Sequence, residues 1–455
     1  MKINKLNTLK YYRIFYKLVF VVSIFLIGMI FKHYNQFPSK YIIDLDKFIK
    51  GHPEEDKSLE EKLFHELNFV PVRGIYDNES LKLPKKYKKL KIDKIKKRRF
   101  LPEYFIEENS LLENGYIISS GNFDLKYNYN DFLLVGKNFN HTWNVNNNEL
   151  KRFFYEQGKK DIYADTYFRG PPFFDILSDG SIIFSGGFFA GRVDFCGEWK
   201  WIKEGSFHHG VSIDNEEKFV WVIFEDTFQK LNIINGNVVK EISLINIIKN
   251  NPDINIFDLR KVPYQSRYLY DPYHINDVEE IPKNYLSYFS IFDEGDLVIS
   301  LRSANLIFVV DEETLKIKWW RVGLGKRQHD PDWQKGYLTF FNNNMKDEND
   351  EIFPKKFLEI KKINLKNMKS EKIFDGRNLK LYTSMEGTHD VHGDRVIITS
   401  SRQGRILEYD YKEDKFYFDF INSYNSEKNY LITESKFKNK NFFKEDPKNL
   451  KKKCK

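Results

Sequence analysis

One short unit recurs along this 455-residue chain and constrains its fold more than any other feature. A polar turn leads into an alternating apolar strand, as in Ile176-Leu-Ser-Asp-Gly-Ser-Ile-Ile-Phe184, Ile291-Phe-Asp-Glu-Gly-Asp-Leu-Val-Ile299 and Val391-His-Gly-Asp-Arg-Val-Ile-Ile398. A second strand follows: Gly191-Arg-Val-Asp194, Leu306-Ile-Phe-Val-Val-Asp311 and Arg405-Ile-Leu-Glu-Tyr-Asp410. An Asp then opens a tight turn, and the next strand is aromatic: Glu198-Trp-Lys-Trp201, Lys316-Ile-Lys-Trp-Trp320 and Lys415-Phe-Tyr-Phe-Asp-Phe420. Turn, strand, strand, Asp-turn and aromatic strand are the anatomy of a propeller blade. Weaker copies bring the blades to six, near 112–145, 176–202, 212–244, 292–322, 335–375 and 390–421. The reading is an all-β, six-bladed β-propeller. A β-sandwich has a similar strand count, but the repeated Asp-turn with an aromatic strand favours the propeller. Long inserts at 146–175 and 245–290 are candidate binding loops.

Charge divides the rest of the chain. Residues 1–17 carry five basic groups and no acid, residues 81–99 carry eleven against Asp93, and residues 434–455 carry nine against three acids. These segments together exceed the whole chain's +8, so the body between them is net acidic. A nucleic-acid binder places its basic stripe on the folded body, so no nucleic-acid partner is expected. Leu18 to Phe31 is an uncharged apolar run behind the first basic cluster, with no small-residue cleavage site after it. It reads as an uncleaved signal anchor, with residues 1–34 crossing the inner membrane once and the body outside the cytoplasm, on the periplasmic side. Residues 35–110 read as a Lys-rich juxtamembrane region, 111–425 as the propeller and 426–455 as a basic tail. The two cysteines, Cys196 and Cys454, exclude a disulfide framework, and a bridge between them is disfavoured because the tail reads as mobile. No metal-ligand spacing is present and no cofactor is called for.

Histidines gather at the joints of the repeat. They lie in Ser206-Phe-His-His-Gly210, Asp271-Pro-Tyr-His-Ile-Asn-Asp277, Arg327-Gln-His-Asp-Pro-Asp332 and Glu386-Gly-Thr-His-Asp390. Connections between successive propeller blades collect on one face around the central channel, so these sequence-distant imidazoles are expected to converge. Imidazole serves as nucleophile, acid, base or metal ligand. Adjacent residues of an extended strand face opposite ways, so only one of His208 and His209 should line the channel.

The phrases His-His-Gly-Val-Ser-Ile-Asp (208–214), His-Ile-Asn-Asp-Val-Glu (274–279), Gly-Asp-Leu-Val-Ile-Ser-Leu-Arg (295–302) and Gln-His-Asp-Pro-Asp (328–332) resemble the bacterial arylsulfotransferase family. So do Asn342-Asn-Asn344 and Ser401-Arg-Gln-Gly-Arg-Ile-Leu-Glu408; the likeness covers most of 130–412. The resemblance implies a six-bladed propeller that moves a sulfuryl group from an aryl sulfate to a phenol, through a sulfohistidine and without a nucleotide sulfate donor. It gives His274 and His329 oxyanion or acid/base roles, makes His389 the nucleophile and makes Arg302 a sulfonate ligand. Arg302 reads equally as a salt bridge between blades. His208, His209 and Asn276 are expected at the substrate. So is Lys356, which stands where the family has an arginine. The usual Asn-Gly-Asn turn before the last blade reads His392-Gly-Asp394. Two rival functions stand beside the transferase: a non-catalytic, membrane-anchored propeller acting as a binding or envelope-scaffold module, and a metal-dependent hydrolase built on the His/Asp cluster.

Overall fold

The computed structural model describes residues 75–77, 82–83, 85–91, 101–123, 131–143, 145–157, 168–257, 273–344, 357–383, 386–423 and 428–454. The expected signal anchor and Lys356 lie outside the described residues. Among the described residues, no helix is long and apolar enough to cross a membrane.

Six antiparallel sheets form the six expected blades. The second blade runs Phe168–Ile176, Ile182–Gly187, Phe189–Val193 and Trp199–Glu204. The third runs Phe207–Ile213, Phe219–Phe224, Thr227–Asn232 and Val238–Ser243. The fourth runs Ile275–Glu280, Leu297–Leu301, Leu306–Val310 and Ile317–Val322, and the fifth His329–Gln334, Tyr337–Asn342, Glu359–Asn364 and Ser370–Asp375. The sixth runs Thr388–His392, Arg395–Ser400, Arg405–Asp410 and Lys415–Ile421. In each, the first strand is innermost and neighbours the first strands of the adjoining blades, which closes a ring around the axis.

The repeated unit therefore covers only three of the four strands. The histidine phrases, expected at connections, begin or immediately precede the fourth, innermost strands. These strands are as long as the others, but most are interrupted by bulges and carry polar residues that break the apolar alternation.

The first blade closes the ring. Gly115–Gly121, Asp131–Gly136 and Phe139–Trp143 take their inner strand from Ile432–Asn439, which pairs with Gly115–Gly121. The expected basic tail is thus an integral strand followed by a short helix, Pro447–Lys453. Its alternation was hidden by its charges and by a bulge after Ile432: Glu434 and Lys436 line the channel cavity, while Ile432 and Phe437 pack between the sixth and first blades. The juxtamembrane reading changes as well, because Lys88–Lys89 and Glu103–Ile106 extend the outer edge of the sixth blade. Cys196 and Cys454 are bridged, with Cα atoms 5.2 Å apart. This corrects the expectation of an unbridged pair. The C-terminal helix docks Leu450 and Cys454 against the interface of the first two blades, so the end of the chain is held where Cys196 turns.

Packing explains the strand patterns. Each blade is covered on both faces by its neighbours, so its middle strands are continuous apolar runs; Leu297–Leu301 and Leu306–Val310 are buried throughout. Apolar clusters fill all six interfaces around the ring. The recurring Asp also has a structural cause. Asp194 Oδ1 accepts the amides of Cys196 and Glu198, Asp311 Oδ1 those of Glu313 and Thr314, and Asp410 Oδ1 those of Lys412 and Glu413. Each carboxylate replaces the backbone acceptors that a tight turn lacks.

Candidate active site in the central channel

The inner strands are bent where they meet the axis. Pairing slips between Phe207 and Val211, between Ile275 and Asp277, and between His329 and Asp332. At these bulges His209, His274 and Asp330 adopt left-handed backbone, with φ of 53°, 52° and 56°. Such a conformation costs a side-chain-bearing residue roughly 1 kcal/mol, and a bulge re-aims the side chain that it carries. Gly210 meets a second demand: a Cβ there would stand 2.7 Å from Asp277 Oδ1 and 3.1 Å from its Cα. The third and fourth blades approach too closely at the axis for any side chain at this position.

The bulges bring three histidines together. His209 Nε2 lies 3.0 Å from His274 Nε2, and the rings of His209 and His329 are centred 6.1 Å apart. A nitrogen pair at that distance shares one proton, so one ring donates and the other accepts. His208, the neighbouring residue, turns away and places Nε2 3.1 Å from the Glu225 carbonyl. The two rings part because His209 is left-handed at the bulge, not because the strand is extended there as expected. Arg302 shares this region; its amide donates to the His274 carbonyl, and its positive charge acts on both His209 and His329. His209 is held well below the ordinary 6.5, first by burial and then by His274, His208, His329 and Arg302. His329 is pushed down to about 3, first by burial and then by Arg302. Both rings are therefore neutral at pH 7.

Hydrogen bonding fixes the tautomer of His329. Its Nδ1 lies 2.7 Å from Asn343 Oδ1 and 3.0 Å from the Arg327 carbonyl. Asn343 Nδ2 donates to the carbonyls of Thr383 and Glu386, which sets the amide with its oxygen toward the ring. Two acceptors at Nδ1 require the proton to be there, so Nε2 carries the lone pair. That nitrogen is buried and makes no hydrogen bond among the described residues. Gln328, fully buried, anchors the same loop through Ser300 Oγ and the carbonyls of Leu301 and Leu306. Asn276, expected at the substrate, donates to the Gln328 carbonyl at 2.7 Å and leaves a buried Oδ1 without a hydrogen bond.

His389 is held separately, by carboxylates of the fifth blade's inner strand. Its Nδ1 lies 2.9 Å from Asp330 Oδ2, and its Nε2 lies 3.6 Å from Asp332 Oδ2. Asp330 and Asp332 also line a small cavity, together with Asp277, Glu279, Glu434, Lys436 and His329. Burial first, then Asp330 and Glu279, lifts Asp277 and Asp332 well above the usual carboxylate range. Burial lifts Glu279 to about 8 and Glu434 to about 7, the latter against the pull of Lys436. Burial opposes charge on Lys436, yet Asp175 and Glu434 hold its pKa well above 10.5. Asp390 is the exception among the acids: His392, 2.8 Å away, and Lys438 overcome its burial and depress it.

Sequence reasoning left Asn343, Asp277, Glu279, Asp332, Glu434 and Lys436 without roles. A signal was present. Asp277-x-Glu279, Asp330-x-Asp332 and Glu434-x-Lys436 each repeat at a spacing of two, which places both members on one face of a strand.

A family model described as "Arylsulfotransferase (ASST)" matches residues 207–422, from the third blade's inner strand to the end of the sixth blade. A search of curated proteins finds no match. Similar solved structures include a Bacteroides caccae protein of unknown function, 9% identical with a TM-score of 0.44, covering 71% of this chain and 98% of that one. The Pan2 WD40 domain of Neurospora crassa is 12% identical with a TM-score of 0.37, covering 62% and 69%. A catalytically inactive virginiamycin B lyase from Staphylococcus aureus, solved with quinupristin, is 11% identical with a TM-score of 0.36, covering 69% and 86%. The fold assignment rests on strand order and ring closure, not on these likenesses.

Proposed function

We propose that this chain, whose residues 207–422 match the arylsulfotransferase family model, moves a sulfuryl group from an aryl sulfate to a phenol with His329 as the nucleophile. One observation carries the reading: the neutral His329 ring, with its proton fixed on Nδ1, presents a buried Nε2 lone pair beside the His209–His274 pair. The Nε2 lone pair forms an N–S bond as the bond from sulfur to the aryl oxygen breaks. The bonding electrons leave with the phenolate, which takes a proton from protonated His274. An acceptor phenol then returns a proton to His274, its oxygen bonds sulfur, and the N–S bond breaks to restore His329. Asn343 Oδ1 steadies the positive ring that exists between the two halves. Arg302 holds the sulfonate oxygens.

This reading exchanges two roles implied by resemblance. His389, in the nucleophile's place by motif, has Nδ1 on Asp330 and Nε2 turned toward the carboxyl group of Asp332. Placement of the body outside the cytoplasm is part of the proposal, and the Cys196–Cys454 bridge supports an oxidising compartment. Turnover of 4-nitrophenyl sulfate with added phenol tests the function. The wild-type chain should release nitrophenolate and form phenyl sulfate, and H329N should lower the rate by roughly three orders of magnitude. Release without phenyl sulfate, or an H329N variant as active as wild type, would contradict it. Absence of turnover with every aryl sulfate would favour the binding module.

A further inference from the structure

We propose that the channel between the fifth and sixth blades binds a divalent first-row transition cation through His389 Nε2 and Asp332, with Asp330 holding the opposite nitrogen of His389. The inference does not depend on the sulfuryl-transfer reading.

The His389 ring supplies the first argument. Asp330 Oδ2 accepts the His389 amide at 2.6 Å and faces Nδ1 at 2.9 Å. A carboxylate at Nδ1 places the proton there and leaves the lone pair on Nε2. Metal-binding histidines are oriented in this way, with one nitrogen tied to a carboxylate and the other presented to the ion. His389 is 3% exposed, and its Nε2 makes no hydrogen bond among the described residues. That nitrogen points at Asp332 Oδ2, 3.6 Å away. A buried imidazole nitrogen without a hydrogen bond, aimed at a carboxylate, fits an ion between them better than either group alone. One donor atom from each of Asp330, Asp332 and His389 lies within 4.8 Å of the other two. Two ligands each about 2.1 Å from one ion stand about 3–4 Å apart, a spacing that the 3.6 Å between His389 Nε2 and Asp332 Oδ2 meets with Asp330 left on Nδ1.

Charge supplies the second argument. Asp277, Glu279, Asp330, Asp332 and Glu434 all line this cavity. Lys436, the cation among them, lies 3.5 Å from both Asp175 and Glu434, toward the first and second blades. The Asp330–Asp332 side thus gathers carboxyl groups whose ionisation burial opposes and a divalent ion would favour. Chemistry narrows the class. An imidazole with a carboxylate suits Mn²⁺, Fe²⁺, Co²⁺ or Zn²⁺, whereas Ca²⁺ takes oxygen ligands alone and Mg²⁺ keeps most of its water. Bound there, the ion would tie the fifth blade to the sixth at the axis. It would also brace Asp330, the residue that follows His329.

The test uses the full chain after chelator treatment, with Mn²⁺ titrated calorimetrically and Co²⁺ followed by visible absorption. Saturable one-to-one Mn²⁺ binding is expected, with Co²⁺ ligand-field bands of a nitrogen-containing, low-symmetry site. D332N and H389Q should each weaken Mn²⁺ binding by about tenfold or more, while H274N leaves it unchanged. D332N also relieves carboxylate crowding, so the metal-free variant should melt no lower than wild type. If a variant fails to fold, the wild-type Co²⁺ spectrum decides. A spectrum of hydrated Co²⁺ alone overturns the proposal. So does binding lost in H274N but kept in H389Q, or Ca²⁺ binding as tight as Mn²⁺.

Discussion

At the scale of single residues, the chemistry turns on which nitrogen of His329 is free. Asn343 sets that, and nothing in the histidine pattern alone reveals it. Replacing Asn343 with Ala removes the acceptor that holds the proton on Nδ1. Transfer should fall by about 10- to 100-fold, in kcat more than in KM, and steady-state kinetics with a fixed phenol concentration reads the split. The sequence makes His274 and His329 recognisable as partners, and it shows that one of the adjacent pair His208–His209 faces inward. Position along the chain does not disclose that His389 is clamped between Asp330 and Asp332, the contact that leads the proposal to prefer His329 as nucleophile. Gly210 belongs to this scale as well. G210A drives a methyl group against Asp277 and should destabilise the fold by about 1–3 kcal/mol, measurable as a lower denaturation midpoint.

At the scale of elements, three of every four strands are legible and the innermost is not. Outer and middle strands announce themselves by apolar runs, aromatic residues and the Asp that caps the turn. Inner strands such as Phe207–Ile213 and His329–Gln334 are bulged and carry polar residues, because one side faces a charged channel instead of a core. The same cause hides the closing strand, Ile432–Asn439, inside what reads as a basic tail. Truncation after Tyr430 removes the inner strand of the first blade and should abolish cooperative unfolding in a thermal scan. The Cys196–Cys454 bridge spans 258 residues of chain, and loop-closure entropy puts its stabilisation on the order of 5 kcal/mol before any native-state strain. A C196S variant should therefore melt well below the oxidised wild type, and reductant should lower the wild type toward it. Equal melting temperatures would show that the docked helix alone holds the ring closed.

At the scale of the whole molecule, a ring of apolar interfaces encloses an axis that is almost entirely polar. Two groups of side chains titrate there with opposite effects on stability. His209 and His329 are depressed below 6.5, so the unfolded chain takes up protons that the folded chain refuses, and stability falls as pH drops below 6.5. Glu279 and Glu434 are raised to about 8 and about 7, so the folded chain keeps protons that the unfolded chain has released. Their contribution is lost as pH rises from the ordinary carboxylate range toward those values. Between pH 6.5 and 8 only the second group acts, and metal-free protein should lose about 1–2 kcal/mol of stability across that window, seen as a lower melting temperature at pH 8. A rise instead would mean that the channel acids are ionised throughout.

The central claim is that His329 carries the sulfuryl group, and the direct measurement is peptide mass spectrometry of enzyme quenched from 4-nitrophenyl sulfate without an acceptor phenol. The account predicts the mass of one sulfuryl group on the peptide containing His329, cleared when phenol is added before quenching. The same label on the peptide containing His389, or no label during active turnover, would contradict it.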